Sequence, residues 1–268
     1  MNVLRWYTKA MLTNRSIWSW GVGFMLFWLV IGAFVESQGE NLSGSGVTTY
    51  TAAWYVVIVL FSMSMFAVAV ANSYTYGSAA LSYSFRFSKL SPRSFFGSVV
   101  GGAAVMGAAL SCVMLGCTLV LFGIRFGARL APTDVPALLA VSVAAGVFYM
   151  ALATTLMLIV INYLGLKSSS FVAFVPLLFS YAFGLAQVYA QLPAWLLYVS
   201  PYNEIESLLY QAFVGQPPRL QIGGTSSEVL AWPYLAVGLV LWTLLLSGSA
   251  AWLLGRIKSR QVEEGRQI

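Results

Sequence analysis

Few side chains in this sequence are suited to catalysis or metal binding. Cys112 and Cys117 are its only cysteines, and it contains no histidine. Residues five apart on a helix point about 140° away from each other, so these two thiols cannot pair. Without histidine or a CxxC pair, the chain lacks the usual parts of a zinc site, a His-ligated haem or a His-based acid/base catalyst.

The charged residues also avoid the places where a membrane enzyme or pump would use them. They make up 8% of the sequence, against 59% hydrophobic residues, and none falls in the middle of a long apolar stretch. Charges there would indicate a proton or ion relay. The GxxxxGK[ST] phosphate-binding loop is also missing, since Gly165 to Ser168 matches only the end of one. We therefore predict that the chain is not an enzyme and carries no cofactor or metal of its own.

The elements that must position the remaining residues are apolar helices. A helix needs about 20 predominantly apolar residues to cross a hydrocarbon core of roughly 30 Å, and it satisfies its own backbone groups there. Six stretches of the sequence meet that length. They predict an all-α integral membrane protein with a single transmembrane domain over residues 1–268. The predicted spans are residues 17–35, 54–76, 97–122, 136–163, 170–189 and 232–254.

Two segments before the third span are too polar to cross. Residues 1–15 mix apolar and basic side chains in the pattern of an amphipathic, interfacial helix. Residues 77–94 carry Arg86, Lys89 and Arg93 among aromatic residues. We predict an interfacial loop with a short helix in this second segment.

Small residues recur every three or four positions in the third span. They predict one smooth face that packs closely against another helix. The residues of this face are Gly97, Gly101, Ala104, Ala108, Cys112 and Gly116.

The basic residues predict the orientation of the chain. Under this assignment, eleven of the fourteen Lys and Arg residues lie on one side of the membrane, together with both chain ends. Cytoplasmic loops retain Lys and Arg during insertion. We therefore predict a multi-pass plasma-membrane protein whose N-terminus and C-terminus are cytoplasmic, with residues 191–231 outside.

The order of these elements resembles the permease subunits of ABC exporters of the type-2 family. Leu90-Ser91-Pro92-Arg93, before the third span, is similar to the loop that follows the family's coupling helix. Pro193-Ala194-Trp195 and Ser200-Pro201-Tyr202 are similar to the starts of its two external re-entrant half-helices. A proline suits a helix start because it has no N–H to donate. The resemblance thus implies re-entrant turns at Pro193 and Pro201, before the last span.

A role as an exporter subunit follows from the same resemblance. The chain would move a hydrophobic or amphiphilic substrate, such as a drug, lipid, peptide or glycan, out of the cytoplasm. ATP and Mg²⁺ would be bound by a separate ABC ATPase subunit, and a second copy or a related permease would complete the pathway. Membrane lipid is a further expected partner, and nucleic acid is not.

The resemblance also implies which residues serve these roles. The ATPase would dock on a cytoplasmic coupling segment, residues 77–94. The implied contacts are Phe85, Arg86, Phe87, Lys89, Leu90, Pro92 and Arg93. The first, second and fifth spans would line the substrate pathway. They offer Phe24, Trp28, Met63, Phe66, Phe179 and Phe183.

Two other functions stay open at this point. An energy-independent channel or scaffold subunit would use the basic aromatic segment around Pro92 only to bind anionic lipid. An ion-coupled carrier would need polar side chains such as Asn72, Asn162 or Gln187 to coordinate its ion together with backbone carbonyls.

Overall fold

The computed structural model describes residues 3–39, 42, 44–88, 90–127, 130–164, 170–222 and 228–258. Over these residues the fold is helical, and the only strand-like pairing is an isolated bridge between Arg219 and Val229. Six helices are long and apolar enough to cross a membrane, which confirms the predicted number and the multi-pass, all-α class. They cover Arg15–Gln38, Ser45–Phe87, Pro92–Phe126, Val135–Leu164, Phe171–Tyr189 and Trp232–Leu254.

Ten α-helices make up the described fold. The first candidate span combines α2 and α3 with a π-helical turn between them, and another π-helical turn, Val160–Leu164, extends α6. The helices are α1 (Val3–Leu12), α2 (Arg15–Trp18), α3 (Phe24–Phe34), α4 (Ser45–Phe87), α5 (Pro92–Phe126), α6 (Val135–Ile159), α7 (Ser170–Tyr189), α8 (Ala194–Val199), α9 (Pro201–Val214) and α10 (Trp232–Leu254).

Local capping explains several of these bounds. The Ser91 and Ser200 hydroxyls accept from backbone N–H groups in the first turns of α5 and α9, and each of these helices has proline as its first residue. Gly127 and Gly215 follow the same two helices in the left-handed conformation, with φ of 61° and 76°. That conformation ends a helix at little cost only when the residue is glycine.

Helix α4 forms the centre of the bundle. It packs against α5, α6, α7 and α9, and it buries large side chains such as Tyr55, Met63 and Phe66 completely. A helix that is apolar on every face is expected at such a central position. The hydrophobic core of the chain is therefore built around α4.

Helices α5 and α6 cross with their backbones in contact. A Cβ added to Gly107 would lie 2.5 Å from the Ser142 carbonyl oxygen and 2.9 Å from the Gly146 Cα. The predicted smooth face of the third span does not make this contact. Gly97 and Gly116, at its two ends, have nothing within 4 Å of an added Cβ. The prediction holds at Gly101, where an added Cβ would lie 2.6 Å from the Leu4 side chain of α1. It fails at the two ends because spacing alone does not tell which of several small residues meets a partner.

The segment between the second and third spans also differs from its prediction. Instead of a loop with a separate short helix, α4 continues to Phe87, and a short connection leads to α5 at Pro92. The Phe85 and Phe95 rings pack edge to face across this hairpin, with centroids 5.7 Å apart. Helical structure therefore extends past the apolar stretch because the hairpin packs against itself.

Helix starts at Pro193 and Pro201 agree with the sequence. Pro193 caps α8, and Pro201 is the first residue of α9. Their surroundings differ from those of helices resting at an interface. Eleven of the fourteen residues of α9 are buried, and it packs against α4, α6, α7 and α10. Helix α9 is thus part of the core.

Candidate functional site

The connected ends of α4 and α5 form a projecting hairpin. Helix α4 has 43 residues and α5 has 35. At 1.5 Å per residue they are about 65 Å and 52 Å long, well beyond a hydrocarbon core of roughly 30 Å. We call the described residues between Tyr83 and Ser94 the hairpin tip.

The hairpin tip presents aromatic and basic side chains to solvent. Phe87 is 72% exposed and packs on Tyr83, with ring centroids 4.7 Å apart. Arg86 and Arg93 are exposed as well, and neither forms an ion pair with another described residue. An exposed aromatic pair beside unpaired arginines is suited to contact a partner, because interfaces are enriched in both residue types.

The predicted contact residues divide into two groups. Arg86, Phe87 and Arg93 face outward, whereas Phe85 and Leu90 pack against the core. Pro92 begins α5 and sets its direction. Lys89 lies outside the described residues.

Neighbouring helices support the hairpin tip. Tyr7 of α1 packs edge to face on Phe95, with centroids 5.6 Å apart. On another side, the C-terminal end of α10 and the start of α5 enclose a cavity of about 660 Å³, lined by Ser91, Arg93 and Arg256 among others. The base of the tip therefore packs against α1, and the cavity lies between it and α10.

The predicted substrate-pathway residues do not form one surface. Phe24 and Phe179 are exposed, and Trp28 and Phe183 are half-buried. Met63 and Phe66 are completely buried in the centre of the chain. Met63 and Phe66 are therefore not exposed on the surface of the chain, because the most buried of the six candidate spans carries them.

Phe179 and Phe183 instead join an aromatic cluster around Tyr202 of α9. The Phe183 ring stacks on the Tyr202 ring at 5.8 Å, and the Phe179 ring packs edge to face at 6.1 Å. Phe148 and Tyr149 of α6 contact the same Tyr202 ring at 5.8 and 5.9 Å. This aromatic cluster links α6, α7 and α9.

Helix α9 also carries two buried acids, Glu204 and Glu206, which we call the acidic pair. Both residues have 0% exposure, and none of their four carboxylate oxygens has a hydrogen-bond partner among the described residues. Glycines of the adjoining spans make room for them. A Cβ on Gly238 of α10 would collide with Glu204, and one on Gly184 of α7 would lie 3.7 Å from a Glu206 oxygen.

Burial decides the ionisation of the acidic pair. Removal from water raises the pKa of Glu204 to about 8. The same desolvation raises the pKa of Glu206 well above its ordinary value. Desolvation disfavours the charged form of a carboxyl group. Burial therefore favours the protonated, neutral form of both acids.

Hydrogen-bonded polar side chains on α4, α6, α7 and α9 share the interior of the bundle with the acidic pair. The Asn203 amide donates to the Gln187 side-chain oxygen at 2.9 Å, and the Gln187 amide donates to the Ser207 hydroxyl at 2.9 Å. Beyond them, the hydroxyls of Ser64 and Tyr149 both lie 2.5 Å from that of Ser180. Protonatable groups and hydroxyls thus share the interior of the bundle, although no hydrogen bond among the described residues joins the acids to this network.

The other polar residues considered for ion binding are placed differently. The Asn162 amide donates to the Leu253 carbonyl, and its oxygen accepts from the Lys258 backbone, so its side chain already links α6 to the end of α10. Among the described residues, no group of three or more His, Cys, Asp or Glu side chains is placed to hold a metal ion.

The acidic pair was missed because the sequence places it outside every apolar span. One signal was available. Residues two apart on a helix point about 200° away from each other, so Glu204 and Glu206 cannot share a solvent face. Apolar residues surround both, which implies that at least one acid is buried.

Comparison with known proteins adds no assignment. The chain matches no protein-family model and no curated protein.

Proposed function

We propose that this chain is the permease subunit of an ATP-driven exporter of the ABC type-2 kind. A separate ATPase subunit would dock on the hairpin tip, and a second permease would complete the transport pathway. The cargo would be hydrophobic or amphiphilic. Both chain ends and the hairpin tip would be cytoplasmic, in the plasma membrane.

The observation that carries this proposal is the shape and chemistry of the hairpin tip. A projecting helical hairpin can transmit force, because α4 continues without a break into the centre of the bundle. Its exposed end offers Phe87 and Tyr83 as apolar anchors, with Arg86 and Arg93 at the rim. A rocking ATPase bound there would move the core helix directly.

Exposed apolar helix faces support a lipid-facing or subunit-facing role for the spans. Phe24 and Phe27 of α3 and Phe174 and Phe179 of α7 are exposed. In a bilayer such faces contact lipid, cargo or a second subunit without cost. This distribution supports a pathway formed between chains, since the most buried of the candidate spans occupies the interior of each one.

The test is copurification. Tagged protein is extracted in mild detergent from its native host, its partners are identified by mass spectrometry, and ATPase activity is measured. We expect a P-loop ATPase at equal stoichiometry with the permease. The variant Arg86→Ala/Arg93→Ala should lose this ATPase or uncouple its activity.

A matched control separates docking from general charge. Arg5→Ala/Lys9→Ala removes two exposed cations from α1, on the same predicted side of the membrane. It should retain the ATPase. Loss of the ATPase in both double variants would indicate only a general effect of charge. If folded protein captures no ATPase at all, an energy-independent channel or scaffold is favoured.

The acidic pair supports a second candidate, a proton-coupled carrier. Glu204 and Glu206 are two protonatable groups inside the bundle. The hydrogen-bonded side chains of Gln187, Asn203 and Ser207 lie in the same interior. Buried acids of this kind are the groups that a proton-coupled carrier needs. If the chain is such a carrier, the protein reconstituted without any partner into liposomes would move cargo when a pH gradient is imposed. Glu206→Gln would abolish this movement, whereas transport that requires ATP and the partner would exclude the carrier.

A further inference from the structure

A cavity between α4 and α7 combines three aromatic side chains with one carboxylate. Tyr50 and Trp54 of α4, Tyr189 at the end of α7 and Glu36 after α3 line it. Its volume is about 120 Å³. We call these four residues the aromatic cage.

The size of the cavity fits a small head group rather than a whole drug. A volume of about 120 Å³ has room for a group of a few heavy atoms. A trimethylammonium group has four heavy atoms. Drug-sized ligands need cavities of about 300 Å³ or more.

The charge of the cage points to a cation. Glu36 is its only charged residue among those that line the cavity, and no described cation forms an ion pair with it. The nearby Arg125 is engaged elsewhere, since its Nε donates to the Ser37 hydroxyl at 2.9 Å and its Nη2 to the Ser37 carbonyl at 3.3 Å. Aromatic faces attract ammonium groups through the ring quadrupole, and a carboxylate strengthens that attraction.

The walls of the cage are held in place before any ligand binds. The Tyr50 hydroxyl donates to the Gly32 carbonyl at 2.9 Å, and the Trp54 ring lies against Gly32, where a Cβ would meet its ring atoms. Gly32 therefore allows α3 and α4 to approach closely enough to position both rings. Such preorganisation lowers the entropic cost of binding.

The rest of the cavity is apolar. It is lined by Ala53, Val57, Leu185 and Val188. Farther along α7, Tyr181 and Leu178 are exposed on its surface. A hydrocarbon chain attached to a bound head group could lie along this surface in contact with the bilayer.

We propose that the aromatic cage binds the ammonium head group of an amphiphilic cation. The role of the cage rests on the proposed function, because the inference names the class of cargo that the exporter would move. Binding itself requires only this chain. The ammonium group belongs to a free amphiphilic cation or to a choline lipid.

The test measures binding of octyltrimethylammonium to the purified full-length chain in maltoside detergent by titration calorimetry, with protein-free micelles as the blank. An uncharged analogue, with carbon in place of the ammonium nitrogen, should bind at least about 10-fold more weakly. Tyr189→Leu should weaken octyltrimethylammonium binding about 5- to 30-fold. Glu36→Gln should weaken it about 2- to 5-fold and reduce its salt dependence.

Two control variants test whether loss of any exposed tyrosine or acid changes the affinity. Tyr234 is 70% exposed and Tyr189 is 68% exposed, so Tyr234→Leu removes a similar ring elsewhere. Glu228→Gln removes another exposed acid. Both controls should leave the affinity unchanged, and all variants are checked for an unchanged elution profile and melting temperature.

The outcomes separate this proposal from the exporter proposal. Equal binding of the uncharged analogue, or unchanged affinity in Tyr189→Leu and Glu36→Gln, would overturn the cage even if an ATPase copurifies. Weakened binding in those variants supports the cage even if no ATPase is found. Competition by a short-chain phosphatidylcholine supports the cage with a lipid head group as ligand, and its absence supports a free amphiphilic cation.

Discussion

The Glu204 carboxylate of α9 lies directly against Gly238 of α10, where any side chain would collide with it. Gly238 therefore makes room for the buried acid. The contact couples the last span to a helix that itself packs against α4, α6 and α7.

Gly238→Ala is expected to destabilise the protein by about 1–3 kcal/mol, because the new methyl group overlaps the Glu204 carboxylate. Gly248→Ala in the same helix is the control, since nothing lies within 4 Å of its added Cβ. The effects of Gly238→Ala and Gly248→Ala are measured as changes in the unfolding free energy in detergent. In a Glu204→Ala background the penalty of Gly238→Ala should vanish, and its persistence there would show that the carboxylate is not the obstacle.

Stability should fall as the pH rises from about 5 to 8. Burial raises the pKa of Glu204 to about 8 and that of Glu206 well above its ordinary value, so the folded state binds more protons than the unfolded state in this window. Each such carboxyl lowers the unfolding free energy by up to about 1.4 kcal/mol per pH unit. Because the sequence has no histidine, few other groups titrate there.

The measurement is the melting temperature between pH 5 and 8 for wild-type protein and for Glu204→Gln/Glu206→Gln. The double variant should show a much flatter profile, whatever its absolute stability. Glu228→Gln, at an exposed acid, should keep the wild-type slope. A flat wild-type profile would mean that the acidic pair is solvated or paired in solution.

The α5–α6 crossing should tolerate no side chain at its centre. Gly107→Ala places a methyl group 2.5 Å from the Ser142 carbonyl oxygen, which is backbone and cannot turn aside. We expect a loss of about 1–3 kcal/mol or more in unfolding free energy. Gly116→Ala, in an open position of the same helix, should be neutral or stabilising by up to about 1 kcal/mol.

Phe85 and Phe87 should separate packing from docking at the hairpin tip. Phe85 contacts Phe95, so Phe85→Ala should lower the melting temperature. Phe87 is 72% exposed, so Phe87→Ala should leave the melting temperature unchanged while weakening capture of the ATPase. Thermal unfolding and copurification are measured on the same preparations. Equal capture by wild type and Phe87→Ala would remove Phe87 from the proposed contact.

The sequence by itself determined the features that depend on local physics. The length of the apolar stretches predicted six helices able to cross a membrane, because lipid requires about 20 apolar residues per span. Helix starts at Pro193 and Pro201, which the family resemblance implied, are consistent with the missing proline N–H. The same reasoning did not reveal that the helix of the second span continues to Phe87, because apolar length does not show where a helix ends.

Only the tertiary structure decided which faces meet. Gly107 contacts another helix whereas Gly97 and Gly116 do not, and Met63 is buried inside the chain, because both outcomes depend on the neighbours that α4 and α5 acquire. The burial of Glu204 likewise requires Gly238, 34 positions later in the sequence. Contacts between helices that are distant in sequence set the environment of each side chain, and no local pattern encodes them.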